Sequence, residues 1–484
     1  MIGSSPFYFL GANACFLPFA AAYGQTAAVT AVFDNARALG MPVIRTWAFF
    51  DSPDTTDAAV MQLRPGIFNE TGLRGLDCVV AEAKRSSIRL VLPLVNNWDD
   101  YGGMNQYVRW RTQATPGPAP ESSNVYSDKE RQLVVDNGEG ERYRVAMTSL
   151  AGHDDFYTDP VIRRWYQSYV AMLLFRVNTF TGVAYKDEPA IMAWELANEP
   201  RSSDRSGQIV CRWLDEMSKF IKSIDPNHLV GAGEEGFDLS RVAYGATGGE
   251  GAAWLFDGTC GVSFAMNSAL PSLDFASIHL YPEAWSLPVA AANSWIRDHL
   301  RIAGTLGKPL ILGEFGLRNG NVQAFDSWLT TALLDGVAGS LAWQLLDGVR
   351  QDREGFGFAF PGSDPVCGVL RELAGKFNEK SRTGGLPLPA AARLHQNYPN
   401  PFLSHTVITY ELPFDAKVRL DVFDITGAHV MTVVDDFQRS GVRKVLIDGQ
   451  ALPAGAYSYR ITAVELQGGS GRGFTETRKL LVLR

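Results

Sequence analysis

Read for the spacing of its apolar and polar positions, most of the chain repeats one unit. Eight short apolar segments rich in β-branched or aromatic residues recur: "FYFLGAN", "PVIRTWAF", "IRLVLPLV", "AIMAWELAN", "HLVGAG", "LDFASIHLY", "PLILGEF" and "GSLAWQLL". Between them lie stretches such as "AVTAVFDNARALG", "GLDCVVAEAKRSS", "VIRRWYQSYVAMLLFRVNTF" and "IVCRWLDEMSKFIKSID", whose apolar residues fall at helical spacing and which end near Gly or Pro. Strand alternating with helix predicts a parallel sheet sheathed by helices. Eight such units fit a closed (β/α)8 TIM barrel, expected over residues 1–380.

The polar residues are placed as such a barrel needs them. Arg45 and Trp47, Asn96 and Asn97, Asn198 and Glu199, Glu234 and Glu235, His279 and Tyr281, Glu314, and Trp343 and Gln344 all fall at or just past the C-terminal ends of their segments. In a barrel those ends converge on one face, where active sites are built. A single polar strand end has a plain reading as the start of a solvated loop; seven of eight do not. The long irregular stretch 111–155, containing "TPGPAPESSN" and "DNGEGER", follows the third strand and is expected to overhang the same face.

A shift in composition marks a second unit. "KSRTGGLPLPAAAR" mixes Gly, Pro and Ala without periodicity and reads as a linker, set at 381–392. Beyond it, alternating segments such as "TVITYEL", "KVRLDVFD" and "GAYSYRITAVEL" are separated by turn signals, predicting a small all-β, immunoglobulin-like sandwich over 393–484. Charge agrees with the division: residues from Arg393 onward carry 11 Lys+Arg against 9 Asp+Glu, a net of +2, which leaves -10 for the rest of a chain of net charge -8. No basic cluster interleaves with aromatics, so a nucleic-acid partner is not expected. No apolar run reaches the ~18 residues of a membrane span. The five cysteines show no CxxC and no nearby His at ligand spacing, so no metal is indicated and their pairing stays open. The apolar start "FYFLGANACFLPFAAAYGQ" lacks a preceding Lys or Arg and contains Asn13 and Pro18, so it reads as a first strand and loop rather than a leader.

Candidate chemistry centres on "AWELANEP". Its first half is a buried strand that runs into Asn198 and Glu199, groups costly to bury without partners. Pro200 disfavours right-handed helical geometry at Glu199 and holds it at a strand exit. Glu314 ends another buried strand in "KPLILGEFG". Two carboxyl groups at the mouths of two strands suit double-displacement cleavage of a glycosidic bond, one as acid and one as nucleophile, about 5 to 5.5 Å apart. The plain alternative is two separate salt-bridged strand ends.

"WELANEP" with the downstream "LGEFG" resembles the signatures of glycoside hydrolase family five, retaining enzymes on a (β/α)8 barrel. "FYFLGANACFLP", "VIRTWAF", "LVNNWDDYGGMNQYVRW", "DDFYTDP", "NTFTGVAYKDEPAIMAWELANEPR", "GEEGF" and "LDFASIHLYPEAW" are similar to blocks of that family's endo-β-1,4-mannanases. The resemblance implies Glu199 as acid/base, Glu314 as nucleophile and Asn198 as the partner of the sugar 2-hydroxyl. It further implies Arg45, His279 and Tyr281 around the nucleophile, Trp343 as the platform under the sugar, and Arg201 and Glu235 as contacts on the leaving-group side. Trp47 and Trp285 complete the expected sugar-binding set, with Trp98, Trp110 and Phe156 as further cleft aromatics. Arg45 is expected to keep Glu314 ionised while Glu199 holds its proton. Ser202 stands where many relatives have Cys, which removes a disulfide common among them.

The substrate so implied is a β-mannan, glucomannan or galactomannan, with no cofactor. A β-1,4-glucanase of the same family and a non-catalytic polysaccharide-binding surface protein are the alternatives. The C-terminal "LHQNYPNPFLSHTVITYELP", "VRLDVFDITGAHV", "LPAGAYSYRI" and "RKLLVLR" resemble the sorting domain of the type IX secretion system. That resemblance implies export through the outer membrane by secretion machinery, secreted or held at the cell surface, in a chain expected to start after removal of its leader or to be trimmed; a monomer is expected. A carbohydrate-binding module is the competing reading, weakened by the absence of Trp from this unit.

Overall fold

A computed structural model describes residues 6–113, 152–241, 250–318, 320–348, 355–362, 364–465 and 473–483. The expected overhanging stretch 111–155 therefore falls largely outside the described residues.

The eight apolar segments form eight strands: β1 (Phe9–Asn13), β2 (Val43–Arg45), β3 (Arg89–Pro93), β4 (Ile191–Glu195), β5 (Leu229–Gly231), β6 (Ala276–Leu280), β7 (Leu310–Phe315) and β8 (Gly339–Ala342). They pair in parallel in the order β5-β4-β3-β2-β1-β8-β7-β6. Across the remaining seam, Asp274 N donates to Val230 O (2.8 Å) and His279 N to Glu235 O (3.0 Å). Between them the Ser277 hydroxyl accepts from Gly233 N (3.2 Å) and Glu234 N (3.1 Å), so a side chain stands in for the missing ladder and closes the barrel.

Among the described residues seven helices of 14 or more residues pack outside: α1 (Thr26–Leu39), α2 (Glu70–Ser86), α3 (Pro160–Phe175), α4 (Gln208–Ile224), α5 (Ala292–Thr305), α6 (Val322–Asp335) and α7 (Val366–Thr383). Their ends follow local chemistry. Asn69, Asp159 and Asn321 cap α2, α3 and α6 through side-chain oxygens that accept backbone N–H groups, while Gly40, Gly336 and Gly384 close α1, α6 and α7 in the left-handed region. The sequence pattern carries α3 on to Phe180, but the helix stops at Phe175. Arg176 turns away to pair with Glu70 and Asp77, and the Asn178 side chain accepts from Phe180 N and Thr181 N to make a turn instead.

Strand period decides what the barrel encloses. Phe9, Val43, Val91, Ala193, Phe275, Ile311 and Leu341 form one apolar cluster. Two or four residues further along, on the same faces, come Asn13, Arg45, Glu195 and His279, all fully buried. The interior thus turns from apolar to charged along the barrel axis.

The C-terminal unit has a three-stranded sheet, β9 (Arg393–Leu394), β10 (His405–Leu412) and β13 (Gly441–Asp448). Against it lies a four-stranded sheet ordered β12 (His429–Gln438), β11 (Ala416–Phe423), β14 (Gly455–Glu465), β15 (Gly473–Val482). All pairs are antiparallel, and alternate residues such as Val418, Leu420, Tyr459 and Ile461 fill the space between the sheets, as in a small β sandwich. The helix before it continues to Thr383, three residues past the expected barrel end at 380.

The sandwich rests on the barrel. Arg443 of β13, buried, donates to Asp335 Oδ1 of α6 (2.5 Å), whose other oxygen accepts from Arg297 of α5 (3.0 Å). Lys444 reaches Asp326, and Ser327 donates to Lys444 O. Val407 and Leu446 join the apolar cluster of the barrel. Replacing Asp335 by Ala strands two guanidinium groups and is expected to cost about 3 kcal/mol. Denaturant unfolding checks this, and a loss below ~0.5 kcal/mol, the range of ordinary surface changes, would contradict it.

Candidate active site

Arg45 ends β2 pointing into the barrel, where its guanidinium meets four side chains. Nε donates to Glu195 Oε2 (2.7 Å), Nη1 to Glu314 Oε1 (2.5 Å) and Asn13 Oδ1 (3.2 Å), and Nη2 to Asn198 Oδ1 (2.8 Å). A fork with five fixed donors suits that task and an ammonium does not. Glu195 escaped the sequence reading because it sits in what looks like an apolar strand. The signal was available: a charge at a fully buried alternate position requires a partner.

Glu314 reaches the interior through a bulge. Ile278 pairs with Leu312 but His279 pairs with Glu314, so Gly313 is an extra residue in β7 that turns the next side chain inward. Its second oxygen, Oε2, accepts the Tyr281 hydroxyl (2.8 Å). Glu199 lies four residues beyond β4. Its backbone N donates to Gly233 O (2.8 Å), and Asn198 N donates to Val95 O (2.7 Å), which ties the exit of β4 to the loops on both sides. The expected exclusion of right-handed helical geometry holds, but the backbone is not extended either: Glu199 has φ 52, a left-handed conformation uncommon for a non-glycine residue. Gly233 makes room for it, since a Cβ there would run into the Ala197 carbonyl.

The Glu199 carboxyl accepts on both oxygens, from His279 Nδ1 at Oε1 (2.7 Å) and from the Trp98 indole N–H at Oε2 (2.6 Å). His279 Nδ1 also lies 3.6 Å from Glu314 Oε2, and its Nε2 has no partner, which fits an imidazole carrying its proton on Nδ1. Burial opposes charge on Glu199, but the His279 bond, Arg201 and the Trp98 bond outweigh it and hold this carboxyl below the usual range. At Glu314 burial wins and, with the charge of Glu199, pushes the group up against His279, Arg45 and Tyr281. That order is opposite to the expected one. The cause is visible: Glu199 takes two donors, while Glu314 is buried beside the charge of Glu199.

Around this centre the other named residues are distributed unevenly. Asn198 is fixed by Arg45 and by its own Nδ2–H donated to Asn96 Oδ1 (3.0 Å). Trp343 is half-buried, 5.8 Å from the ring of the buried Trp47, over which Arg45 stacks at 5.0 Å. Arg201 grips Glu235 through Nε and Nη2 (2.7 and 2.5 Å) while its guanidinium lies over Trp98 at 4.9 Å and Phe237 at 5.0 Å. Burial pushes the Glu235 carboxyl up to about 7 against the pull of Arg201. Trp285 is corrected: it is wholly buried behind Tyr281, packed on Phe237 and Trp295, and presents no face to a cleft. Trp110 and Phe156 are core residues packed around Tyr107. Glu234 faces away and accepts from Asn267 Nδ2. All five cysteines are free thiols, and Ser202 bonds Gly261 O.

Donor atoms of Glu199, His279 and Glu314 lie within 4.8 Å of one another. They are committed to one another and to Arg45, Tyr281 and Trp98, so the positive charge a cation would bring is already supplied by a guanidinium. Retaining glycosidases hold their carboxyl groups ~5–5.5 Å apart, and an oxygen of Glu199 lies within 4.8 Å of one of Glu314.

Buried paired carboxylates at the C-terminal mouth of a parallel barrel are the arrangement a retaining glycoside hydrolase requires. The chain belongs to glycoside hydrolase family 5, in its β-mannosidase-like group, whose model matches residues 1–362. It is 36% identical over 401 residues to "Putative mannan endo-1,4-beta-mannosidase 5" of Oryza sativa subsp. japonica, covering 76% of this chain and 72% of that one. It is 34% identical over 415 residues to "Mannan endo-1,4-beta-mannosidase 3" of Arabidopsis thaliana, covering 80% and 88%. The endo-β-1,4-mannanase from Thermotoga petrophila superposes with a TM-score of 0.67 at 28% identity, covering 100% of this chain and 99% of that one. Residues 396–468 match a secretion system C-terminal sorting domain, which indicates export. No helix among the described residues is long and apolar enough to cross a membrane.

Because Arg45 joins three other strands, Arg45→Lys is expected to lower stability by about 2–4 kcal/mol. Chemical denaturation reads the change; a variant within ~0.5 kcal/mol of the parent would show that the fork is dispensable.

Proposed function

We propose that the chain is a retaining endo-β-1,4-mannanase in which Glu314 is the nucleophile and Glu199 the acid/base. In the first step a Glu314 oxygen bonds to the anomeric carbon as the glycosidic C–O bond breaks, and Glu199 gives its proton to the departing oxygen. In the second, water attacks the same carbon, Glu199 takes a proton from it, and the ester to Glu314 breaks. Two inversions leave the configuration retained.

The roles rest chiefly on one observation: the carboxyl group next to the fixed cation Arg45 and the Tyr281 hydroxyl is Glu314. A permanent charge there steadies a carboxylate through attack and departure. Glu199 is instead joined to His279, a group that exchanges protons. Asn198, locked by Arg45 and Asn96, is positioned for the sugar 2-hydroxyl, and Trp343 beside Trp47 for the apolar face of the ring. Arg201 and Glu235 lie on the far side of Glu199, where a leaving sugar would sit. The names of the relatives support mannan over glucan. The catalytic unit is taken as residues 1–380, the linker as 381–392 and the sorting unit as 393–484, with the protein a monomer carried across the outer membrane and secreted or retained at the surface.

Azide separates the two glutamates. Glu314→Ala is expected to lose at least ~10³ of its turnover on mannan, a loss typical of removing a nucleophile, and to yield an α-glycosyl azide from an activated donor. Glu199→Ala should retain cleavage of a good leaving group and yield the β-azide. Exchanged product configurations would reverse the roles, and reducing sugar released from carboxymethylcellulose but not mannan would overturn the substrate.

A further inference from the structure

Asp51 lies outside the catalytic cluster and is fully buried, and among the described residues no Lys, Arg or His pairs with it. It forms a parallel bridge with Gln62, so the two side chains leave the same face of that pairing. Gln62 Nε2 donates to Asp51 Oδ1 (2.8 Å) and to the Tyr107 hydroxyl (2.9 Å), which engages both amide hydrogens. Asp51 Oδ2 and Gln62 Oε1, both buried, are left with no donor. They are the two remaining acceptors of one acid–amide pair. A carboxylate there would be a buried charge beside a bare carbonyl oxygen, with nothing to offset its desolvation. Turning the amide over does not help, since it would set Gln62 Oε1 itself 2.8 Å from Asp51 Oδ1. In either orientation the pair lacks one proton, and a carboxylic acid supplies it.

We propose that Asp51 is held as a neutral carboxylic acid that donates to Gln62, and that this acid–amide clasp positions the loop after β3. The link to the loop runs through the backbone. Asp51 N donates to Tyr101 O (2.9 Å), and Gly102, at φ 91, passes so close to the Asp51 carbonyl that a Cβ would overlap it. Tyr107, which takes the other amide hydrogen, stands on the helix Gly103–Gln113 that continues the same loop. That loop carries Asn96, which accepts from Asn198, and Trp98, which donates to Glu199. The clasp thus supports two contacts of the site, and its effect on turnover rests on the roles proposed for Asn198 and Glu199. The titratable groups packed around Asp51 are Tyr107, from that helix, and Tyr169, from α3, whose hydroxyl donates to Ala48 O. Burial raises both phenols, so neither carries charge near neutral pH. Burial likewise pushes the Asp51 carboxyl up to about 8, against the pull of the Gln62 bond.

Asparagine is the neutral isostere of this acid and can donate where Asp51 does. Asp51→Asn should therefore retain the parental kcat on mannan and lose the pH dependence that the acid brings. The unfolded chain releases the Asp51 proton near pH ~4 and the folded chain only near 8, so the stabilisation is present at low pH and is lost as pH rises between them. From about pH 5 to about pH 7, the folding constant of the wild type divided by that of Asp51→Asn should fall about tenfold per pH unit, the slope of one proton. A ratio that does not move with pH overturns the proposal. Should Asp51→Asn not fold, carbon-13 titration of the aspartate carboxyls in the wild-type protein reads the same group: one should stay protonated at about pH 6 and ionise near 8, and finding none overturns the proposal. Asp51→Ala removes the donor, and kcat should fall about tenfold or more as the loop shifts, with Asp51→Asn restoring it; a parental kcat in Asp51→Ala overturns the positioning role. A Glu199→Ala enzyme that hydrolyses mannan at the parental rate would fault the reaction roles instead, while the Asp51 titration is judged on its own.

Discussion

The guanidinium of Arg45 lies inside the barrel with no exposure to solvent, bonded to side chains from β1, from β4 and the loop after it, and from β7. A charge so placed is several kcal/mol unfavourable unless every donor is answered. The answering groups are therefore constrained as tightly as Arg45 itself. Asn13 must end β1, Glu195 must end β4, Asn198 must follow it at a fixed distance, and Glu314 must enter from β7. Two of those four are residues of the proposed reaction. The charge that threatens the fold and the charge that organises the site are the same one, which is why the upper layer of the barrel is polar while the layer beneath it is apolar.

Glu314 shows how local geometry serves that constraint. Strict alternation from Ile311, which faces the interior, puts Gly313 inward and Glu314 outward. The bulge at Gly313 shifts the phase by one residue, and the carboxyl arrives against Arg45 and Tyr281. Glycine at that position leaves space for His279, whose Nε2 would stand 3.2 Å from a Cβ. The bulge, the glycine and the histidine form one solution to aiming two groups at one point.

The architecture was legible because it rests on short-range signals. Apolar segments of strand length alternate with helical spacing, caps such as Asn69 and Asp159 stand where helices begin, and polar residues gather at strand ends. Glu199 and Glu314 could be singled out because each breaks an apolar run. What stayed hidden depends on contacts distant in sequence. Glu195 looks like one more residue of a strand until Arg45, 150 positions earlier, is placed beside it. Trp285 is a surface-compatible aromatic next to Tyr281 until Phe237 and Trp295 close over it. The closure of the barrel by the Ser277 hydroxyl, and the seating of β13 on α6 through Asp335 and Arg443, leave no periodic trace at all.

The proton balance between the two glutamates follows from the same placement. Arg45 is bonded to three other groups besides Glu314, so the charge beside the proposed nucleophile is fixed. On the Glu199 side the donors are His279, an imidazole that can gain and lose a proton, and the uncharged indole N–H of Trp98. A retaining glycosidase needs one carboxyl group of steady charge and one that alternates. The barrel meets both needs by fixing one glutamate to a buried cation of permanent charge and bonding the other to a histidine whose charge can change. Identity of the residue type does not separate the two proposed roles, since both are glutamates; the permanent charge of Arg45 beside one and the titratable His279 beside the other does.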